Sequence, residues 1–238
     1  QAGSSSDFAN IFVVPESITI TVDDDGPADF DNIQAAIDAA CCGGTIIVAD
    51  GTYTGAGNRD IDFRGKVITV RSENGPENCI IDCNATQADL HRGFYFHSGE
   101  DANSIINGFT IINGYSNDGG GICCQESSPT ITNCTIIGNS AERFVSRVGW
   151  CGYGGGIACG YGSGPTVTNC TFTGNEANNG GGMANENSSS PTVTNCTFSG
   201  NSATNYGGGM RNTRSSTPTV TNCTFSGNSA GGTGGGMY

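Results

Sequence analysis

Apolar and polar residues alternate in short runs, and the runs recur. Thr192-Val193-Thr194 and Thr197-Phe198-Ser199 each set one apolar side chain between two hydroxyls. The same pair appears at Thr166–Thr168 with Thr171–Thr173, and again at Thr219–Thr221 with Thr224–Ser226. Strict alternation over so few residues predicts short strands, and Thr, Val and Phe favour that conformation. Asn195-Cys196 breaks the alternation and predicts a bend, because Asn tolerates left-handed backbone. Gly200-Asn201 and the triple glycines supply further corners. The pattern lies inside blocks of 26 or 27 residues, Gly154–Asn179, Gly180–Tyr206 and Gly207–Thr233. An earlier copy starts at Gly119, and a further one opens at Gly234. Each block predicts two or three strands joined by turns, too short for a four-stranded propeller blade.

One such coil cannot bury its own apolar residues. Stacked in register at about 4.8 Å per rung, the coils cover one another and form inner ladders. The expected ladders are Ile131, Val167, Val193, Val220, then Ile136, Phe172, Phe198, Phe225, and Ile122, Ile157, Met183, Met210, Met237. Cys134, Cys170, Cys196 and Cys223 form a fourth column of small buried groups. Upstream, Thr45–Tyr53, Val67–Arg71, Cys79–Asp82, Gly93–His97 and Gly108–Gly114 read as successive strands without a clean repeat. Phe30, Ile33, Ile37 and Ala40 share one helical face, with Asp29 or Asp31 to cap its start and Gly43 to end it. That short helix is expected to plug the first rung.

The pairing of a triple glycine and an aliphatic residue with F-x-x-N (Phe172–Asn175, Phe198–Asn201, Phe225–Asn228) resembles the repeat of chlamydial-type polymorphic outer-membrane proteins. The run from Ala28 to Tyr53 is similar to the N-terminal region of right-handed parallel β-helix proteins secreted by bacteria. The resemblance implies an all-β, single-stranded, right-handed parallel β-helix of about seven rungs, a rod roughly 35 Å long. Three regions follow: an extension at 1–22, the helix and irregular rungs at 23–118, and regular repeats at 119–238 with an insertion at 140–153. The fold hosts lyases, adhesins and structural proteins alike, so it does not name a function.

Charge narrows the field. Nine basic residues against 22 acidic ones give a net charge of −13, which argues against nucleic acid and anionic membranes as partners. No apolar run reaches the ~18 residues that span a bilayer. The chain begins at Gln1, which fits removal of a secretory signal, and twelve cysteines fit an oxidising, extracellular setting. Cys124 and Cys159 align on adjacent rungs, Cys79 and Cys83 flank a strand near Cys41 and Cys42, and Cys123 could meet Cys151. These are the disulfide candidates. No cofactor is expected, and the run Asp23-Asp24-Asp25 is the one candidate Ca²⁺ site.

From Gly119 onward there is no Asp, His or Lys, and Glu126, Glu142, Glu176 and Glu186 sit at unlike offsets. The repeats therefore read as scaffold. His91, Arg92, His97, Glu100 and Asp101 form the one cluster resembling catalytic equipment, with His91, His97 and Asp101 its candidates and Tyr95 and His97 facing outward. Arg143, Phe144, Arg147 and Trp150 in the insertion are a candidate contact loop. Of the six N-x-[S/T] sequons, Asn84 and Asn187 are the glycan candidates; the other four are the recurring turn Asn.

The first reading is an extracellular structural protein that is not an enzyme and that polymerises with itself, head to tail. The strand at Ile11, Phe12, Val13, Val14, Ile18 and Ile20 would cover the open rung at Val220, Phe225, Met237 and Tyr238 of the next subunit. The second is a carbohydrate-active or carbohydrate-binding β-helix using the His91–Asp101 region and the groove beside it. The third is a surface adhesin that meets its target through the insertion.

Overall fold

The computed structural model describes residues 19–142 and 152–238. Its strands fall into four parallel sheets that the chain visits in rotation. The first sheet has eight strands, from Thr19–Val22 through Thr45–Val48 to Thr219–Thr221. The second has seven, from Gly51–Thr54 to Thr224–Ser226, the third six, from Ile61–Asp62 to Met210–Asn212, and the fourth five, from Tyr115–Ser116 to Ser229–Ala230. This is a parallel β-helix of about eight turns. The count is one more than expected because Thr19–Val22, read as part of an extension, pairs with Thr45–Val48 of its own chain. Ile20 is accordingly tucked against the core and is not a free docking residue. Ile11, Phe12, Val13, Val14 and Ile18 lie outside the described residues.

The ladders form as their spacing predicts. Val167, Val193 and Val220 pair in register under Ile131, and Phe172, Phe198 and Phe225 under Ile136. The phenylalanine rings lie face to face, with centroids 4.4 and 4.7 Å apart. Corners fall where the sequence tolerates left-handed backbone. Asn133, Asn169, Asn195 and Asn222 have φ of 52 to 55° at the bend between the first and second sheets. The second glycine of each triple is required by crowding: a Cβ on Gly181 would lie 2.3 Å from the Ser202 carbonyl oxygen.

The N-terminal helix spans Ile33–Ala39 and buries Ile33, Ala36 and Ile37. Its cap is Asn32, whose side chain accepts from the Ala35 amide at 2.9 Å. Asp29 does not cap it, because its carboxylate is occupied by the Thr21 amide and hydroxyl, both at 2.8 Å. The helix ends at Ala40, before Gly43. Among the described residues, no helix is long and apolar enough to cross a membrane.

Candidate functional site

The third sheet carries a notch. Its outward column runs Asp62, Tyr95, Cys123, Ala158, Ala184, Arg211, one residue per rung. Three small residues in succession sit between a tyrosine and an arginine, so the surface dips where they lie. Residues just before the strands, Asp118 and Tyr153, form one wall of the cleft. Gln125, Tyr161, Glu186 and Asn187, at or after the strand ends, form the other. The cleft is shallow and open to solvent, with a cavity volume of about 40 Å³.

Both walls carry a carboxyl whose titration is displaced. Burial pushes Asp118 up to about 6, against the opposing pull of the Tyr153 amide and the Arg92 guanidinium. Burial also pushes Glu186 up to about 6; Arg211 and Arg214 oppose it, and the charge on Asp118 adds to it. Glu186 pairs with Arg211, and the two side chains are 6% and 14% exposed. The second Glu186 oxygen, Oε2, and the Arg211 Nε are buried with no hydrogen-bond partner. Unpartnered buried polar atoms are rare in folded proteins; among the described residues these two join Asn185 Oδ1 and Ser189 Oγ close by in the chain. Arg211 lies over the Tyr153 ring at 5.2 Å and the Tyr206 ring at 5.9 Å. At the other end Arg92 lies 4.6 Å over Tyr95 and donates to Ser116 Oγ at 2.7 Å. The Tyr95 hydroxyl donates to Gln125 Oε1 at 2.9 Å.

The cluster read from the sequence is split up. His91 sits between Asp60 at 2.5 Å and Asp89 at 3.0 Å. His97 faces outward as expected, stacked on Tyr95 at 4.1 Å with Asp62 at 3.4 Å. Asp101 accepts from the Asn103 amide at 2.8 Å and shapes a turn. Glu100 is buried and held by the Gly65 and Ser98 amides and the Ser127 hydroxyl. Only Arg92 of that group reaches toward the cleft.

Other expected sites resolve in different ways. Asn84 is exposed, whereas Asn187 is half-buried in the cleft wall, where a glycan would fill the cleft. Cys41 and Cys42 are exposed, Cys79, Cys83, Cys123, Cys124 and Cys159 are buried, and all the described cysteines are thiols. Asp23, Asp24 and Asp25 bring one oxygen each within 4.8 Å of the others. That turn is already held by the Asp25 and Gly26 amides donating to Asp23. Val220 and Phe225 pack partly against the core, and Met237 and Tyr238 are exposed. Arg143, Phe144, Arg147, Trp150 and Cys151 lie outside the described residues.

Asp118, Glu186 and Arg211 were not singled out by the sequence. A signal was present. The near-identical blocks differ most in the run after each triple glycine, where Ala184 and Glu186 give way to Arg211 and Thr213. The residue before each triple glycine varies as Asp118, Tyr153, Asn179 and Tyr206. Divergence inside an otherwise constant repeat marked both walls.

Comparison with known proteins bears on the fold. The family model described as right handed beta helix region matches residues 101–237. No curated protein matches. Among solved structures, pectin methylesterase from carrot aligns at 14% identity and a TM-score of 0.49, covering 92% of this chain. The alignment spans 65% of that enzyme's length. With the model matching more than half of the residues and the four sheets in place, the chain belongs to the right-handed β-helix family.

Proposed function

We propose that this chain is a carbohydrate-active β-helix whose third-sheet cleft takes a segment of polysaccharide. The observation that carries the reading is the pair of buried carboxyls, Asp118 and Glu186, raised to about 6 on opposite walls of one cleft. Perturbed acids gathered in a cleft mark acid–base sites, and cleavage of a glycosidic bond calls for two carboxyl groups in different protonation states. Their surroundings separate the roles. Arg211 pairs with Glu186 and favours its ionised form, leaving Oε2 free to take a proton. Asp118 has no ion pair of that kind; it accepts from the Tyr153 amide at 3.3 Å, with Arg92 nearby, and in its protonated form it can donate to a departing oxygen. Tyr153 and Tyr161 give the walls apolar faces, and Gln125 and Asn187 add neutral hydrogen-bonding groups, the usual make-up of a small-molecule cleft.

The reading is tested by release of reducing ends from a panel of neutral and acidic polysaccharides. Wild type should show turnover best near pH 6, with Asp118→Asn and Glu186→Gln each lower by about 10²-fold or more. Turnover that survives both substitutions would place the chemistry elsewhere, and no turnover on the whole panel would end the enzymatic reading. Head-to-tail polymerisation loses Ile20 as a docking residue, since Thr19–Val22 pairs within its own chain, while Met237 and Tyr238 remain exposed at the other end.

A further inference from the structure

The corner before the third sheet carries one residue per rung, in a column that runs Asp118, Tyr153, Asn179, Tyr206, Thr233. Its two tyrosines stand two rungs apart, so their backbones are about 9.6 Å apart, twice the spacing of paired strands. The rung between them offers only Asn179 at the corner and Ala184 on the strand. Arg211 comes from the same rung as Tyr206 and lies back across that gap. Its guanidinium is 5.2 Å from the Tyr153 ring centre and 5.9 Å from the Tyr206 ring centre. Both lie inside the ~6 Å over which a ring attracts a cation.

The partners of Arg211 have unlike places. Tyr153 and Glu186 both line the cleft, and Glu186 Oε1 pairs with Arg211 Nη1. Tyr206 does not line it. It stands outside, 39% exposed, with its ring against Tyr238 at 4.9 Å. A free arginine side chain has many rotamers, and an ion pair loses much of its worth to the entropy of holding that chain in one of them. Two rings that cover a planar guanidinium fix its position before the carboxylate is counted.

We propose that Tyr206 is a positioning residue: with Tyr153 it sandwiches the Arg211 guanidinium and keeps it on Glu186, so that Glu186 stays ionised while Asp118 across the cleft keeps its proton. The inference rests on the acid–base reading of the cleft and adds a residue that acts through Arg211. The charged groups facing Glu186 are Arg211, Arg214 and Asp118. Burial pushes Glu186 up and Arg211 opposes it most. A guanidinium free to swing away opposes it less, and Glu186 then holds its proton to higher pH. Tyr206→Leu removes the ring, whereas Tyr206→Phe keeps it.

The experiment follows the Glu186 carboxyl of the full chain by NMR of isotope-labelled glutamate as pH is varied, with Glu186→Gln identifying the signal. Tyr206→Leu should raise the Glu186 midpoint by about half a pH unit, the equivalent of one exposed cation–ring contact. Tyr206→Phe should leave the midpoint in place. On any polysaccharide the chain turns over, the acid limb of the pH profile should move in step with the midpoint. The proposal is overturned if Tyr206→Leu lowers thermal stability without moving that midpoint, or if Tyr206→Phe moves it as far. In wild type the buried Arg211 Nε proton should exchange slowly with solvent. Rapid exchange would show a guanidinium that swings free, and it overturns the proposal even if a variant fails to fold. Absence of turnover removes the enzymatic reading alone, because titration and exchange are read without substrate.

Discussion

At the scale of single residues, the clearest case is Lys66, the chain's one lysine. Its Nζ donates to the carbonyls of Ile37, Asp38 and Ala40 at 2.7, 2.8 and 2.9 Å. Those carbonyls lie at the helix C-terminus, where a cation is favoured, and the Ile37 oxygen also accepts from the Ala40 amide at 3.2 Å. Lys66→Met keeps most of the stem and removes all three bonds. We expect a loss of about 2 kcal/mol, since bonds to a charged group are worth roughly 1.5–3 kcal/mol each in favourable cases and solvent replaces part of them here. Thermal unfolding reads the change, and an unaltered midpoint would show that water serves those carbonyls as well. Composition made Lys66 visible, but not its partner. The helix lies 26 to 29 residues away, a separation that only the stacking of rungs brings into contact.

The rung is the natural element, and it shows what a linear reading can and cannot reach. The alternation of Val193 and Phe198 between hydroxyls gave the inner ladders, because a two-residue period has one meaning when a face is buried. The F-x-x-N spacing was visible too, but its cause lies between rungs. Asn201 Nδ2 donates to the Phe172 carbonyl at 3.0 Å, and its Oδ1 accepts from both the amide and the Nδ2 of Asn175, each at 3.0 Å. Asn175 repeats these contacts toward Ile136 and Asn139. At the other corner, Asn195 needs only left-handed backbone, with φ of 55°, and its side chain meets Asn169 at 3.3 Å on the surface. The two asparagines of one block should therefore respond differently. Asn201→Ala strands a buried amide and a buried carbonyl, at a cost of about 3 kcal/mol. Asn195→Gly, which keeps the backbone conformation, should cost less than about 1 kcal/mol. Urea unfolding of the two variants makes the comparison, and equal losses would refute the division. The cleft was hidden for a related reason. Asp118 and Glu186 come from different rungs and opposite ends of their strands, so no spacing within one block joins them.

For the molecule as a whole, the cleft sets a cost that pH should expose. Asp118 is raised from 3.8 to about 6, so the folded state holds its proton more tightly than the unfolded chain does. The sign follows by linkage: this group's contribution is fully present below about pH 4 and is lost as pH rises to about 6. Glu186 acts in the same direction over a narrower window, from 4.5 to about 6. Glu100 acts oppositely, since its backbone and Ser127 hydrogen bonds outweigh burial and lower its titration; its contribution is lost as pH falls. Asp118→Asn mimics the protonated form and removes the cost of charging that site. The variant should match wild type near pH 4 and exceed it by roughly 3 kcal/mol above pH 6, because each pKa unit corresponds to about 1.4 kcal/mol. Stability curves of both proteins from pH 4 to 8 give the difference directly. A constant offset would mean that the substituted amide merely repacks the wall, whereas an offset opening between pH 4 and 6 would show that the fold tolerates an ionised carboxylate there. A buried carboxyl kept at a cost in stability is what the acid–base role proposed for the cleft calls for.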